Sequence, residues 1–149
     1  MALIDHPIIH YRYVMGFKID NVAIPDPSSF TGKQSDLDTL GKRNALGNLK
    51  RNLVATKHPI KLEYSAIEWE MIQKILGLMT EVDSNGDPIS KSEFSFTYPD
   101  PSTGTLKTRK CYVGDRDWGC DRYYETIVVD DVKHSNTYIG NLKFSVIEI

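Results

Sequence analysis

Carboxylates are the residues of this chain most easily pressed into chemistry. The segment Asp83-Ser-Asn-Gly-Asp-Pro-Ile-Ser-Lys-Ser-Glu93 is oxygen-rich in the manner of a calcium loop. An EF-hand loop starting at Asp83 needs glycine at its sixth place for a sharp turn and a bidentate glutamate at its twelfth. Pro88 holds the sixth place, Gly86 comes too early, and Glu93 falls one place short. A strand-like Phe94-Ser-Phe-Thr-Tyr follows where a helix should, so the segment reads as a turn shaped by Asn-Gly and Asp-Pro. Asp115, Asp117, Asp121 and Glu125 form a second acidic set. General acid–base work needs two carboxyls in different environments around one cleft. These four lie among Gly114, Arg116, Gly119 and Arg122, where solvated or ion-paired side chains are expected.

His6 and His10 have the spacing that sets two imidazoles on one helical face for a metal, but Pro7 and the β-branched Ile8 and Ile9 oppose a helix there. His58 and His134 bear no spacing relation to them. Cys111 and Cys120 match neither a redox Cys-x-x-Cys nor a zinc knuckle. A disulfide across a Gly114–Gly119 turn is sterically open, but a reducing compartment disfavours it, and Cys111 suits a small buried strand position. The chain has no phosphate-cradling glycine loop and no nucleophile elbow. The residues therefore assign no catalytic group, no cofactor and no metal, and the chain reads as non-enzymatic.

The elements that would position these groups are mostly strands. Residues 94–116 form the clearest unit, FSFTYPDPSTGTLKTRKCYVGDR. Phe94, Phe96 and Tyr98 alternate with Ser95 and Thr97, the period of a half-buried strand. Pro99 and Pro101 lack the N–H that a ladder needs and should end the pairing, and Gly104 frees the backbone for the return. Residues 11–20 read as a first strand and 21–27 as a breaker cluster. Residues 28–51, poor in large apolar side chains, read as a long loop and the foremost place for partner contact. A strand is expected to begin within 48–55, and Ile60, Leu62 and Tyr64 alternate again after the bend at Pro59. One helix is expected over residues 65–79. Ser65 and Glu68 fit a capping box, Tyr64 and Trp69 a hydrophobic staple, and Trp69, Ile72, Ile75, Leu76 and Met79 an apolar stripe. Residues 83–88 should close it, and residues 122–129 and 138–149 supply two further strands. The expected fold class is α+β: an antiparallel β-sandwich or split barrel of about six strands with one packed α-helix.

Composition bounds the function classes. The 149 residues suffice for one core, and 40% hydrophobic with 26% charged residues is ordinary for a globular chain. A net charge of −2 gives no bias toward nucleic acid or an anionic surface. No apolar run reaches the roughly 18 residues of a membrane span, and residues 1–10 lack the plan of a secretory signal. Synthesis in the cytoplasm without a membrane anchor is the expectation. Charge is nonetheless uneven. Residues 42–61 hold six basic residues (Lys42, Arg43, Lys50, Arg51, Lys57 and Lys61) and no acidic one. Residues 115–131 hold six acidic residues (Asp115, Asp117, Asp121, Glu125, Asp130 and Asp131) against Arg116 and Arg122. The plain reading is two solvated faces. The sharper one is head-to-tail association, with Lys42, Arg43, Lys50 and Arg51 facing Asp115, Asp117 and Asp121 of another copy, and Leu46 and Leu49 adding apolar contact. The basic stretch lacks interleaved aromatics for base stacking, so specific nucleic-acid binding is not expected.

A resemblance sharpens this outline. The aromatic strand, the Tyr-Pro-Asp-Pro turn ending in Thr-Gly and the Tyr-Val-Gly-Asp-Arg exit resemble the signature of a family of short bacteriophage proteins, found in prophages of Gram-positive bacteria and associated with phage tails. Lys-Ile-Asp-Asn-Val-Ala-Ile-Pro-Asp-Pro, the basic Lys-Arg-Asn-Ala-Leu-Gly-Asn-Leu and the helix of residues 68–79 extend the likeness over residues 17–149. The order of elements is also similar, by looser fold analogy, to the tail-tube fold of tube, distal-tail and hub proteins. The resemblance implies a non-enzymatic structural subunit of a tail tube, distal tail or tail tip, or baseplate, located in the virion after synthesis in the bacterial host. Its partners would be copies of itself and other tail proteins. Length and patterning, not the resemblance, give the expected layout of one domain over residues 1–149, with 1–12 an N-terminal arm and 28–51 an interaction loop. The alternatives are a neck or tail-completion protein, or a carbohydrate-binding module using exposed Trp118, Tyr123, Tyr124 and Tyr138.

Overall fold

Alternation in the sequence becomes an inner and an outer face in the computed structural model, which describes residues 7–33, 35–38, 53–57 and 59–149, with the backbone alone for 35–38 and 53–57. Strand β1 is Ile8–Ile9, β2 Lys18–Ile19, β3 Val22–Ala23, β4 Ser29–Gly32, β5 Ser35–Asp38, β6 Leu53–Lys57 and β7 Ile60–Glu68. Helix α1, Trp69–Leu78, follows directly, then β8 Thr80–Val82, β9 Pro88–Ser90, β10 Phe94–Asp100, β11 Thr105–Val129 and β12 Val132–Glu148. The main sheet runs β3-β2-β10-β11-β12-β7-β4 and is antiparallel throughout, with β1 added in parallel to the end of β11. β5–β6 and β8–β9 are separate two-stranded ribbons.

The sheet curls until its ends meet. Phe17, just before β2, packs edge-on against Phe30 of β4 with ring centroids 5.2 Å apart, although β2 and β4 lie at opposite ends of the strand order. Inside the curl Phe17, Ile19, Leu62, Phe96 and Phe144 are fully buried. α1 packs across β7 and β12 and adds Ile72, Ile75 and the following Met79 to the same core. The fold class read from the sequence is thus the observed one, an α+β split-barrel or sandwich arrangement with a single helix among the described residues.

β11 and β12 form the spine. Every other strand of the main sheet joins through one or the other, and their hairpin closes at Asp130–Asp131. Both turn residues adopt left-handed φ (47° and 65°), as do Asp20 and Asn21 between β2 and β3 (49° and 64°). Two-residue turns of this hand match the twist of the flanking strands, and Asp and Asn tolerate the conformation better than most residues. The ladder is interrupted by register shifts between Val113 and Arg116 and between Cys120 and Arg122, which bend the long strand. At the second bend Gly140 lies so close to Gly119 that a Cβ on it would overlap the Gly119 carbonyl. A second, smaller core of Ile127, Val129 and Ile139 forms beyond this crossing, covered by Ile9, Tyr11 and Tyr124.

Several local expectations are corrected. Of residues 11–20 only Lys18–Ile19 is strand. The Asp26 carboxylate accepts the N–H groups of Val14 and Met15 and holds that stretch off the ladder. The stretch of residues 28–51 contains strands β4 and β5, because Ser29–Gly32 pairs with Ile60–Glu63 of β7. Ser65 does not cap the helix. It is still in β7, where its N–H donates to the Ser28 hydroxyl, and strand pairing runs on to Glu68 opposite Ile139. The helix starts at Trp69 without a side-chain cap. Trp69 is half-buried at the rim of the core, not inside it. Residues 83–88 form the tip of the β8–β9 ribbon rather than the helix end. There the Asp83 carboxylate accepts the N–H groups of Asn85 and Asp87 at 2.9 Å each, which uses it as a turn former. Pairing persists through Pro99, opposite Leu106, and stops at Pro101. The strands expected at 122–129 and 138–149 are the far parts of β11 and β12.

Gly140→Ala should destabilise the protein by about 2–3 kcal/mol, because the two backbones cannot separate without breaking the ladder. Urea denaturation would show this as a lower midpoint, whereas Gly77→Ala, on the open side of α1, should not lower it.

Candidate functional site

The turn after β10 explains why its sequence is so particular. The Asp100 side chain is buried and accepts the N–H and hydroxyl of Ser102 at 2.9 and 2.6 Å, while its carbonyl accepts the N–H of Gly104 at 2.9 Å. Pro101 fixes the first corner, and Gly104 takes the left-handed φ of +69°. Arg109 supplies the balancing charge. It lies 3.7 Å from Asp100 and 3.5 Å from Glu148, and its Nε donates to the Tyr98 hydroxyl at 3.0 Å. The motif therefore builds a corner. Asp100→Ala should cost about 2–4 kcal/mol in urea denaturation and Asp100→Asn less, since the amide oxygen can still accept from Ser102.

A titratable cluster forms where β7 passes into α1. Glu68, the last residue of β7, is only 5% exposed, and Glu70 follows in the first turn of the helix. His134 of β12 brings its Nδ1 to 3.8 Å from a carboxylate oxygen of each. Burial pushes the Glu68 carboxyl above the ordinary carboxylate range. His134 opposes that shift, and Glu70 and Asp130 add to it. The Tyr11 hydroxyl accepts the Glu68 N–H at 3.1 Å, and Asp130 in turn accepts the Tyr11 N–H at 3.2 Å. Sequence spacing held no sign of this cluster, because Glu68 and His134 are brought together only by the pairing of β12 with β7.

Beside it lies an aromatic surface. Trp69 makes edge contacts with Trp118 (5.4 Å) and Tyr138 (6.1 Å), and Tyr138 packs across the ladder on Tyr123 at 5.1 Å. Trp118, Tyr123 and Tyr138 are each about half exposed (56%, 52% and 49%). Three of the four aromatics singled out from the sequence thus share one patch. Tyr124 does not, because it covers the second core. A separate cleft of about 390 Å³ runs under the N-terminal arm, lined by His10, Tyr11, Arg12, Asp26, Tyr64 and their neighbours. Of the arm expected over residues 1–12, residues 7–12 are described, and Ile8–Ile9 is anchored to Val128–Val129 of β11.

The expected interface residues Lys42, Arg43, Leu46, Leu49, Lys50 and Arg51 lie outside the described residues, as does His6. Asp115, Asp117 and Asp121 are exposed along β11. Lys61, at the end of the basic segment, and Lys143 line the same shallow depression as Asp115 and Asp117. That part of the acidic segment therefore has cationic neighbours within its own subunit. Cys111 and Cys120 are free thiols on one strand, the first buried and the second exposed. An extended strand keeps residues nine apart far beyond disulfide reach. Burial pushes the Cys111 thiol up to about 12. Iodoacetamide at pH 8 should label Cys120 alone in the native protein and both cysteines after unfolding, read by mass spectrometry.

Among the described residues no helix is long and apolar enough to cross a membrane. No curated protein and no solved structure matches the chain. Residues 14–148, nearly all of the fold built above, match a family profile described as a family of unknown function (DUF6711), and the chain belongs to that family.

Proposed function

We propose that this chain is a non-enzymatic structural subunit of a bacteriophage tail, located in the virion and assembling through contacts between subunits. The observation that carries the assembly reading is the aromatic patch of Trp118, Tyr123 and Tyr138 around Trp69. Large amphipathic rings held about half exposed and already packed on one another offer contact area at little further cost in side-chain ordering. Open strand edges support it. Among the described residues β3 and β4 end the main sheet, and β11 between its contacts with β10 and β1 has a partner on one side only. The assignment to a tail rests on the likeness of the ordered motifs to tail-associated phage proteins. The corner at Asp100 gives the Tyr-Pro-Asp-Pro turn ending in Thr-Gly a structural purpose that requires no chemistry.

Light scattering and negative-stain microscopy of the purified chain test assembly, and mass spectrometry of purified phage particles tests location. Rings or tubes, and the chain among the particle proteins, are expected. Trp118→Ala with Tyr123→Ala should abolish the assemblies while the monomer stays folded, at a cost of about 1–3 kcal/mol for the two ring–ring contacts removed. A chain that stays monomeric at high concentration and is absent from particles would sink the reading. The same aromatic patch favours one second reading, a carbohydrate-binding module. Saturable binding of a glycan by the monomer, lost in Trp118→Ala, would place it ahead.

A further inference from the structure

We infer that Glu68, Glu70 and His134 form a binding site for a divalent transition-metal cation of the Zn²⁺ class, which clamps the β11–β12 hairpin to the start of α1. The three donor atoms lie within 4.8 Å of one another, and Nδ1 of His134 is 3.8 Å from a carboxylate oxygen of each glutamate. A tetrahedral ion with bonds of about 2.0–2.1 Å holds its ligand atoms about 3.3 Å apart. Closing the site takes a contraction of about 0.5 Å between His134 and each glutamate and of up to about 1.5 Å between the two glutamates, the larger part of it a movement of the exposed Glu70 side chain.

An independent observation points to a missing partner. Glu68 is 5% exposed, yet Oε2, the oxygen facing His134, is buried and has no hydrogen-bond partner among the described residues. A buried carboxylate oxygen in that state is costly, and coordination to a cation is one of the few ways to remove the cost. The charge around it agrees. Glu68 feels Glu70 and Asp130 as well as His134, so the anionic groups outnumber the single imidazole.

The donor set selects the class of ion. One imidazole nitrogen with two carboxylates suits Zn²⁺ and its first-row neighbours, whereas Ca²⁺ requires six to eight oxygens and Mg²⁺ a near-octahedral oxygen shell. Three protein ligands leave a coordination position for water or a group from a partner. His134 at 27% and Glu70 at 70% side-chain exposure leave a way in. The inference does not rest on the proposed tail function.

Titration calorimetry of chelator-treated full-length protein with ZnCl₂, CaCl₂ and MgCl₂ tests it, with thermal unfolding as a second readout. One saturable Zn²⁺ per chain, a raised Tm, and no comparable uptake of Ca²⁺ or Mg²⁺ are expected. Glu70→Gln, at an exposed position, and His134→Ala should each weaken Zn²⁺ binding at least tenfold. His10→Ala and Cys120→Ser should leave it unchanged. Absence of saturable Zn²⁺ uptake, equal affinity for Ca²⁺ or Mg²⁺, or uptake untouched by both Glu70→Gln and His134→Ala would overturn the site.

Discussion

The β11–β12 ladder holds this fold together, since every other strand of the main sheet is joined to it directly or through a neighbour. The hairpin is long enough to serve two cores, and it can do so only because it bends. Below the crossing of Gly119 and Gly140 its side chains enter the curled sheet with Phe96, Leu62 and the apolar face of α1. Above it Ile127, Val129 and Ile139 build the smaller core that the N-terminal arm covers. Gly140 at the point of closest approach lets the backbones meet where a Cβ would strike the Gly119 carbonyl, and the adjacent register shift turns the strand.

That geometry also produces the surface features with functional weight. Because β12 pairs with β7 as far as Glu68, the helix begins one turn later than a Ser65 cap would place it. Trp69 consequently sits at the rim and not inside, where it gathers Trp118 and Tyr138 into an exposed patch. The same pairing carries His134 to the mouth of the helix, facing a buried glutamate. The aromatic patch and the charged cluster are thus two results of one strand register.

What the sequence made legible was whatever is local. Phe94, Phe96 and Tyr98, Ile60, Leu62 and Tyr64, and Leu142, Phe144 and Val146 each declare a strand face by alternation, and all nine are buried. Ile72 and Ile75 declare the helix stripe. The corner at residues 99–104 is likewise encoded in adjacent residues, since Asp100, Pro101, Ser102 and Gly104 satisfy one another. Ser65 misleads for the opposite reason. Its local capping pattern is real, but a distant residue, Ser28, takes the same donor, and the ladder to β12 extends the strand past it.

Fold class, the one helix among the described residues and most inward faces were thus readable from residue order, because periodicity and turn chemistry act over a few residues. The strand order, the closure of the sheet through Phe17 and Phe30, the close approach at Gly140 and the meeting of Glu68 with His134 arise only in the folded chain. Each of these depends on register between segments far apart in the chain. A shift of one residue would reverse every face and separate every such pair, and register is set by the fit of the whole sheet, which no local pattern records.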